Sequence, residues 1–212
     1  PMPHVPIAVS EKFLGKSNQG LYGDLMMEID WSVGRIINAL EKNKIIDNTL
    51  IIFTSDNGPW LNFGNHAGST GGLREGKGTS FEGGQRVPTI MMWPDVIPAG
   101  KIANQLSSAI DILPTVSHIV DGNLPKHKID GINILEILKG EKVNPRKEFY
   151  YYYGNNNLEA VRKDNWKLIL PHNSRSYKGV LPNNDGFPGN YNSIKTGLEL
   201  YNLRRDPGEE YD

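Results

Sequence analysis

Asp56 and Asn57 stand side by side at the end of the apolar run Leu50-Ile51-Ile52-Phe53. A carboxylate and an amide carbonyl are the oxygen donors that a hard cation such as Ca²⁺ or Mg²⁺ takes. Ca²⁺ needs about 6–8 of them, so two residues make only part of a site. The same residue types, followed by Gly58, also make an ordinary strand-ending turn. The local sequence leaves both readings open. A second stretch, Gly71-Gly72-Leu73-Arg74-Glu75-Gly76-Lys77-Gly78-Thr79, sets Arg74 and Lys77 on a glycine ribbon. Its spacing approaches a P-loop, yet Gly78 stands where a P-loop has Ser or Thr, and no strand and regular helix bracket it. We read no nucleotide site there. What remains is a lysine able to approach an anion closely, or a solvated loop lysine. His4 lies among prolines at the start of the chain, and His66 lies within the glycine-rich stretch. Both read locally as exposed, with a substrate-facing role also open to His66.

These residues need elements to position them. Residues 20–44 carry Leu25, Met26, Ile29, Val33, Ile36, Ile37 and Leu40 at helical spacing, with Asp24, Glu28 and Arg35 on the other side. Residues 49–54 and 87–93 read as strands, and residues 110–120 as a helix with Asp111 and Pro114 in its first turns. Helix, strand, loop, strand and helix make an α/β pattern. Asp56 then sits at the C-terminal end of a strand, the edge where open α/β sheets bind ligands. Residues 58–84 form a long glycine-rich loop, a length that is usually functional or disordered. The character changes near Asn144-Pro145. Residues 149–153, 158–162, 166–170 and 198–203 predict a small antiparallel sheet, and residues 171–195, rich in Asn, Gly, Ser and Pro, predict an irregular loop. The expected division is an α/β part over 1–144 and a small antiparallel part over 145–212.

Composition narrows the classes. The chain has 212 residues, 38% hydrophobic and 22% charged, with a net charge of −1. That balance provides no basic field, so nucleic acid is not an expected partner. No apolar stretch approaches bilayer-spanning length, so no membrane partner is expected, and no signal-peptide pattern is present. There is no cysteine, which excludes disulfides, thiolate metal ligands and a cysteine nucleophile within these residues.

Several segments, in one order, resemble the sulfatase family of the alkaline phosphatase-like superfamily. They are "GLYGDLMMEIDWSVGRIINALEK", "TLIIFTSDNGPW", "GGLREGKGTSFEGGQRVPTIMMWP", "DILPTV" and "ELYNLRRDPGEEYD". The resemblance implies a mixed sheet flanked by helices with a small C-terminal antiparallel sheet, and hydrolysis of sulfate monoesters. It implies Asp56 and Asn57 as Ca²⁺ ligands, Lys77 on the sulfate and the bridging oxygen, and His4 facing that oxygen as general acid. His66 and Arg74 are expected as substrate contacts. The expected partner is a sulfated small molecule or glycan, in a periplasmic or secreted setting.

The family's nucleophile is a formylglycine made within a C/S-x-P-x-R motif, and that motif does not occur in this sequence. The resemblance therefore implies a C-terminal portion of a sulfatase with half of the calcium site and no nucleophile, inactive alone. It also implies a sheet edge exposed to oligomerisation or partner pairing. Two other readings accompany it. One is a phosphodiesterase or phosphatase of the same superfamily. The other is a non-catalytic module that holds sulfated glycans through Lys77, Arg74 and Arg86.

Overall fold

The computed structural model of the chain describes residues 3–211. Helix α1 spans Gly20–Lys42. It buries Leu25 and half-buries Ile29, Val33, Ile37 and Leu40, while Met26 and Ile36 face solvent. It stops two residues short of the predicted end because Lys44 turns left-handed, at φ 56°, and the Asn43 side chain donates to the Ala39 carbonyl at 2.7 Å. Asp24 does not lie on a polar face. It is buried, and its carboxylate accepts the Gly15 and Ser17 amides, each at 2.7 Å.

A 3₁₀ turn at Ile46–Asn48 leads into β1, Ile51–Thr54, which pairs antiparallel with β2, Thr89–Met92. The second strand is shorter than predicted: Pro88 brings no N–H to the ladder, and just past Met92 the Trp93 indole N–H donates to the Asp47 carbonyl at 2.9 Å. Between the two strands lie a 3₁₀ segment, Leu61–His66, and the short helix α2, Glu82–Gln85. Beyond β2, a 3₁₀ turn at Ala109–Asp111 opens helix α3, Ile112–Ile119, with Ser108 and Asp111 forming a capping box. Asp111 is fully buried, and its carboxylate is paired with Arg146. Helix α4 is the single turn Leu135–Leu138.

The C-terminal part has a four-stranded antiparallel sheet in the order β3-β4-β5-β8, made by Glu148–Tyr153, Asn157–Lys163, Trp166–Ile169 and Glu199–Asn202. Residues 171–195 correct the expectation of an irregular loop. They contain the antiparallel pair β6, Asn173–Ser176, and β7, Asn192–Lys195. The core on the larger sheet comprises Phe81, Tyr151, Ala160, Ile169, Tyr201 and Leu203. Phe81 comes from the glycine-rich stretch and is 0% exposed. A buried phenylalanine is worth about 1.5–3 kcal/mol of transfer free energy. The stretch expected as a loop is thus clamped into the core at its far end, immediately after Lys77-Gly78-Thr79-Ser80. No helix among the described residues is long and apolar enough to cross a membrane.

Candidate active site

The site is built where the end of β1 meets the glycine-rich stretch. β1 ends at Thr54 and β2 begins at Thr89, their hydroxyls 2.8 Å apart, and after Thr54 the chain turns through Ser55, Asp56 and Asn57. Gly58 closes the turn. Its N–H donates to the Gly84 carbonyl at 2.9 Å, and a Cβ there would lie 1.8 Å from the Gly83 carbonyl oxygen. Only glycine permits so close an approach. One residue on, the Pro59 carbonyl accepts the Lys77 N–H at 2.8 Å. These two backbone bonds sew the Asp56-Asn57 turn directly to the lysine loop.

Trp60 touches both Lys77 and His4. The Lys77 ammonium lies 5.2 Å from its ring centroid, within cation–π range. The His4 ring packs edge-on against the same indole at 6.4 Å. His4 is exposed, and its Nδ1 lies 3.0 Å from the Val5 carbonyl. With the proton on Nδ1 in that bond, Nε2 is the atom left for proton exchange. The structure therefore brings Asp56, Asn57, Lys77 and His4 to one neighbourhood around Pro59 and Trp60.

The turn suits a hard cation in part. Asn57 donates its Nδ2 to the Gly58 carbonyl at 3.0 Å, which leaves Oδ1 as the free acceptor. Asp56 is exposed. Among the described residues no three His, Cys, Asp or Glu side chains cluster as a metal cage. Two oxygens fit two of the roughly 6–8 positions of a Ca²⁺ ion.

The other two expected contacts are placed differently. His66 is not exposed but buried, and its Nδ1 accepts the Ile7 N–H at 3.2 Å. Through this bond it anchors the segment that carries His4. Arg74 turns away from the turn at Asp56. Its Nη1 donates to Glu199 Oε2 at 3.1 Å, to the Tyr201 hydroxyl at 3.0 Å and to the Glu209 carbonyl at 3.0 Å, and its guanidinium stacks 3.9 Å over Phe81. Burial works against its charge, but Tyr201 and Glu199 outweigh that and raise its pKa. Burial and the bond to Glu199 push Tyr201 up to about 12. Nη1 of Arg74 is thereby committed to the C-terminal part of the chain, and Arg86 is exposed.

Sequence reasoning missed the support from the β6–β7 pair. Glu75 accepts the Ser176 hydroxyl at 2.6 Å and the Tyr177 N–H at 2.7 Å, and the Tyr177 hydroxyl donates to the Lys77 carbonyl at 2.6 Å. Three short bonds, two to the Glu75 carboxylate and one to the Lys77 carbonyl, thus tie the lysine loop to a segment about 100 residues downstream. The alternation of buried Ser174 and Ser176 along β6 is visible only in the structure, since every residue of Asn173–Ser176 is polar.

Comparison with known proteins gives the family and the fold. The family model described as Sulfatase matches residues 2–122, and the one described as N-sulphoglucosamine sulphohydrolase, C-terminal, matches residues 76–212. Human steryl-sulfatase is 40% identical over 179 residues, covering 82% of this chain and 30% of that protein. N-acetylgalactosamine-6-sulfatase of Canis lupus familiaris is 36% identical over 219 residues, covering 98% of this chain and 42% of that protein. The crystal structure of a sulfatase from Pseudoalteromonas sp. superposes with a TM-score of 0.80 at 30% identity, over 96% of this chain and 40% of that one. The chain thus spans between 30% and 42% of the length of these relatives.

Proposed function

The chain belongs to the sulfatase family of the alkaline phosphatase-like superfamily, and from that premise we propose that it forms the leaving-group side of an active site that hydrolyses sulfate monoesters. The observation that supports this reading is the pair of backbone bonds, Gly58 N–H to Gly84 and Lys77 N–H to Pro59, which joins the turn of Asp56 and Asn57 to the loop that carries Lys77. As the S–O bond breaks, negative charge grows on the bridging oxygen. Lys77 Nζ stabilises that charge, and a fixed cation does so best when it needs no reorganisation during the reaction. His4 Nε2 delivers a proton to the departing oxygen, so the alcohol leaves neutral. Asp56 and Asn57 Oδ1 would hold a Ca²⁺ ion in part, and when bound that ion would supply positive charge to the sulfate oxygens. The remaining metal ligands and the formylglycine nucleophile come from outside these 212 residues, which contain no C/S-x-P-x-R motif. We assign the α/β part to residues 1–144 and the antiparallel part to residues 145–212, joined by the Phe81 core. The substrate is a sulfated small molecule or glycan, met outside the cytoplasm as expected of the family.

The test uses p-nitrophenyl sulfate. The 212 residues alone give no turnover, and in the complete enzyme Lys77→Ala lowers kcat about 10²–10³-fold, the cost of losing one preorganised charge-stabilising donor. Turnover by the isolated chain, or unchanged kcat in the variant, contradicts the proposal.

A further inference from the structure

A cleft of about 190 Å³ opens beside the lysine loop, lined by Gly78, Tyr153, Glu159, Ser174, Arg175 and Tyr191 among others. Its floor and walls come from β3, β4 and the β6–β7 pair, with Gly78 as the link to Lys77. Gly78 has φ +89°, and a Cβ there would lie 2.9 Å from Arg175 Nη1. Glycine at that position lets the guanidinium rest against the backbone immediately after Lys77. Arg175 stacks 4.2 Å over the Tyr191 ring and donates once, from Nη1 to the Tyr177 hydroxyl at 3.3 Å. No carboxylate among the described residues lies within ion-pair distance of it. A guanidinium has five N–H donors. Arg175 is thus a cation held in place by stacking, with donors unused, at the edge of a cleft.

The rest of the lining is not anion-seeking. Glu159 is buried, and its Oε2 accepts the Ser80 hydroxyl at 2.6 Å and faces His172 Nε2 at 3.2 Å, leaving Oε1 as a free acceptor. Asn173 and Ser193 add neutral donors and acceptors. One cation, one buried carboxylate, two tyrosine faces and small polar side chains match a hydroxylated ring with a single anionic substituent. A bare anion would meet Glu159, and an apolar ligand would leave Arg175 unpaired. The volume holds roughly six waters, room for one ring and below the ~300 Å³ where larger ligand pockets begin.

We propose that this cleft binds one acidic sugar residue, its carboxylate or sulfate on Arg175 and its ring against Tyr191 and Tyr153, adjacent to the sulfate ester held by Lys77. The assignment rests on the sulfatase reading for the position of that ester, and the cleft itself can be tested without it. Amide chemical shifts of the 212-residue chain carrying Lys77→Ala are followed during titration with methyl glucuronide, methyl glucoside 6-sulfate and neutral methyl glucoside. Both acidic sugars shift the Gly78, Asn173, Ser174 and Ser193 amides, at least about tenfold more tightly than the neutral one, the worth of one charge-assisted pair. The tighter of the two acidic probes identifies the anionic group. Arg175→Ala removes that preference and Arg175→Lys retains part of it, each with a dispersed spectrum that reports an intact fold. Equal affinity for acidic and neutral sugars, unchanged affinity in Arg175→Ala, or no shifts at those amides overturns the proposal. If acidic sugars bind the unsubstituted chain, lose binding in Lys77→Ala and keep it in Arg175→Ala, the cleft assignment falls while the reading of Lys77 stands.

Discussion

At the scale of single residues, the chemistry rests on side chains whose backbones are fixed by others. Lys77 is held through its N–H by Pro59 and through its carbonyl by Tyr177. His4 follows from His66, whose buried ring takes the Ile7 amide three residues further along. Asp24 shows the same principle in a carboxylate, and its behaviour with pH is predictable. The Ser17 amide first, and the Gly15 amide second, hold its carboxyl below the usual carboxylate range. A folded-state pKa lower than the unfolded value gives stability that is complete above the unfolded value, about 3.9, and is lost as pH falls through the folded one. The urea midpoint of the unsubstituted chain therefore drops more steeply below about pH 4 than that of Asp24→Asn. Parallel pH profiles for the two proteins would contradict this role.

At the scale of elements, the lysine loop is positioned by a buried charge cluster as well as by Phe81. Lys167, in the middle sheet strand β5, is 0% exposed and lies 3.0 Å from Glu82 Oε1 and 2.9 Å from Glu209 Oε1. Glu209 Oε2 also accepts the Glu82 N–H at 2.6 Å. The cluster thereby ties α2, the sheet and the segment near the end of the chain into one unit. Lys167→Ala strands two carboxylates in the interior, and removing one partner of a buried ion pair costs about 3–5 kcal/mol. Urea unfolding of the variant measures the loss, and a change under about 1 kcal/mol would mean that the cluster is solvated. None of this was legible in the sequence, where Lys167 is one residue of a plausible strand. Its partners lie 85 residues before it and 42 residues after it, far beyond any local pattern. By contrast, α1, β1 and the four strands of the larger sheet were legible, because periodicity and β-propensity are local signals. The β6–β7 pair was not, because Asn, Ser and Gly carry loop propensity and the contacts that order it, with Glu75 and Thr196 among them, come from elsewhere in the chain.

At the scale of the whole molecule, the motifs of the site were legible and its walls were not. Asp56, Asn57 and Lys77 fall within short matching segments and His4 lies upstream of them, whereas Tyr177 and Arg175 enter only through contacts that the fold creates. The β1–β2 ribbon has no third strand among the described residues, and Ile90 on it is 66% exposed. An unpaired edge with apolar surface recruits a partner, so we expect self-association of the isolated chain by light scattering, and a stable monomer would count against it. The central claim is that the turn after β1 and the lysine loop hold one anion between them. The most direct measurement is a crystal structure of the complete enzyme with Ca²⁺ and a bound sulfate. The account predicts the cation on Asp56 and Asn57 Oδ1 and a sulfate oxygen within hydrogen-bond distance of Lys77 Nζ. A sulfate bound elsewhere, with Lys77 Nζ turned to solvent and the cation held by other residues, would contradict it.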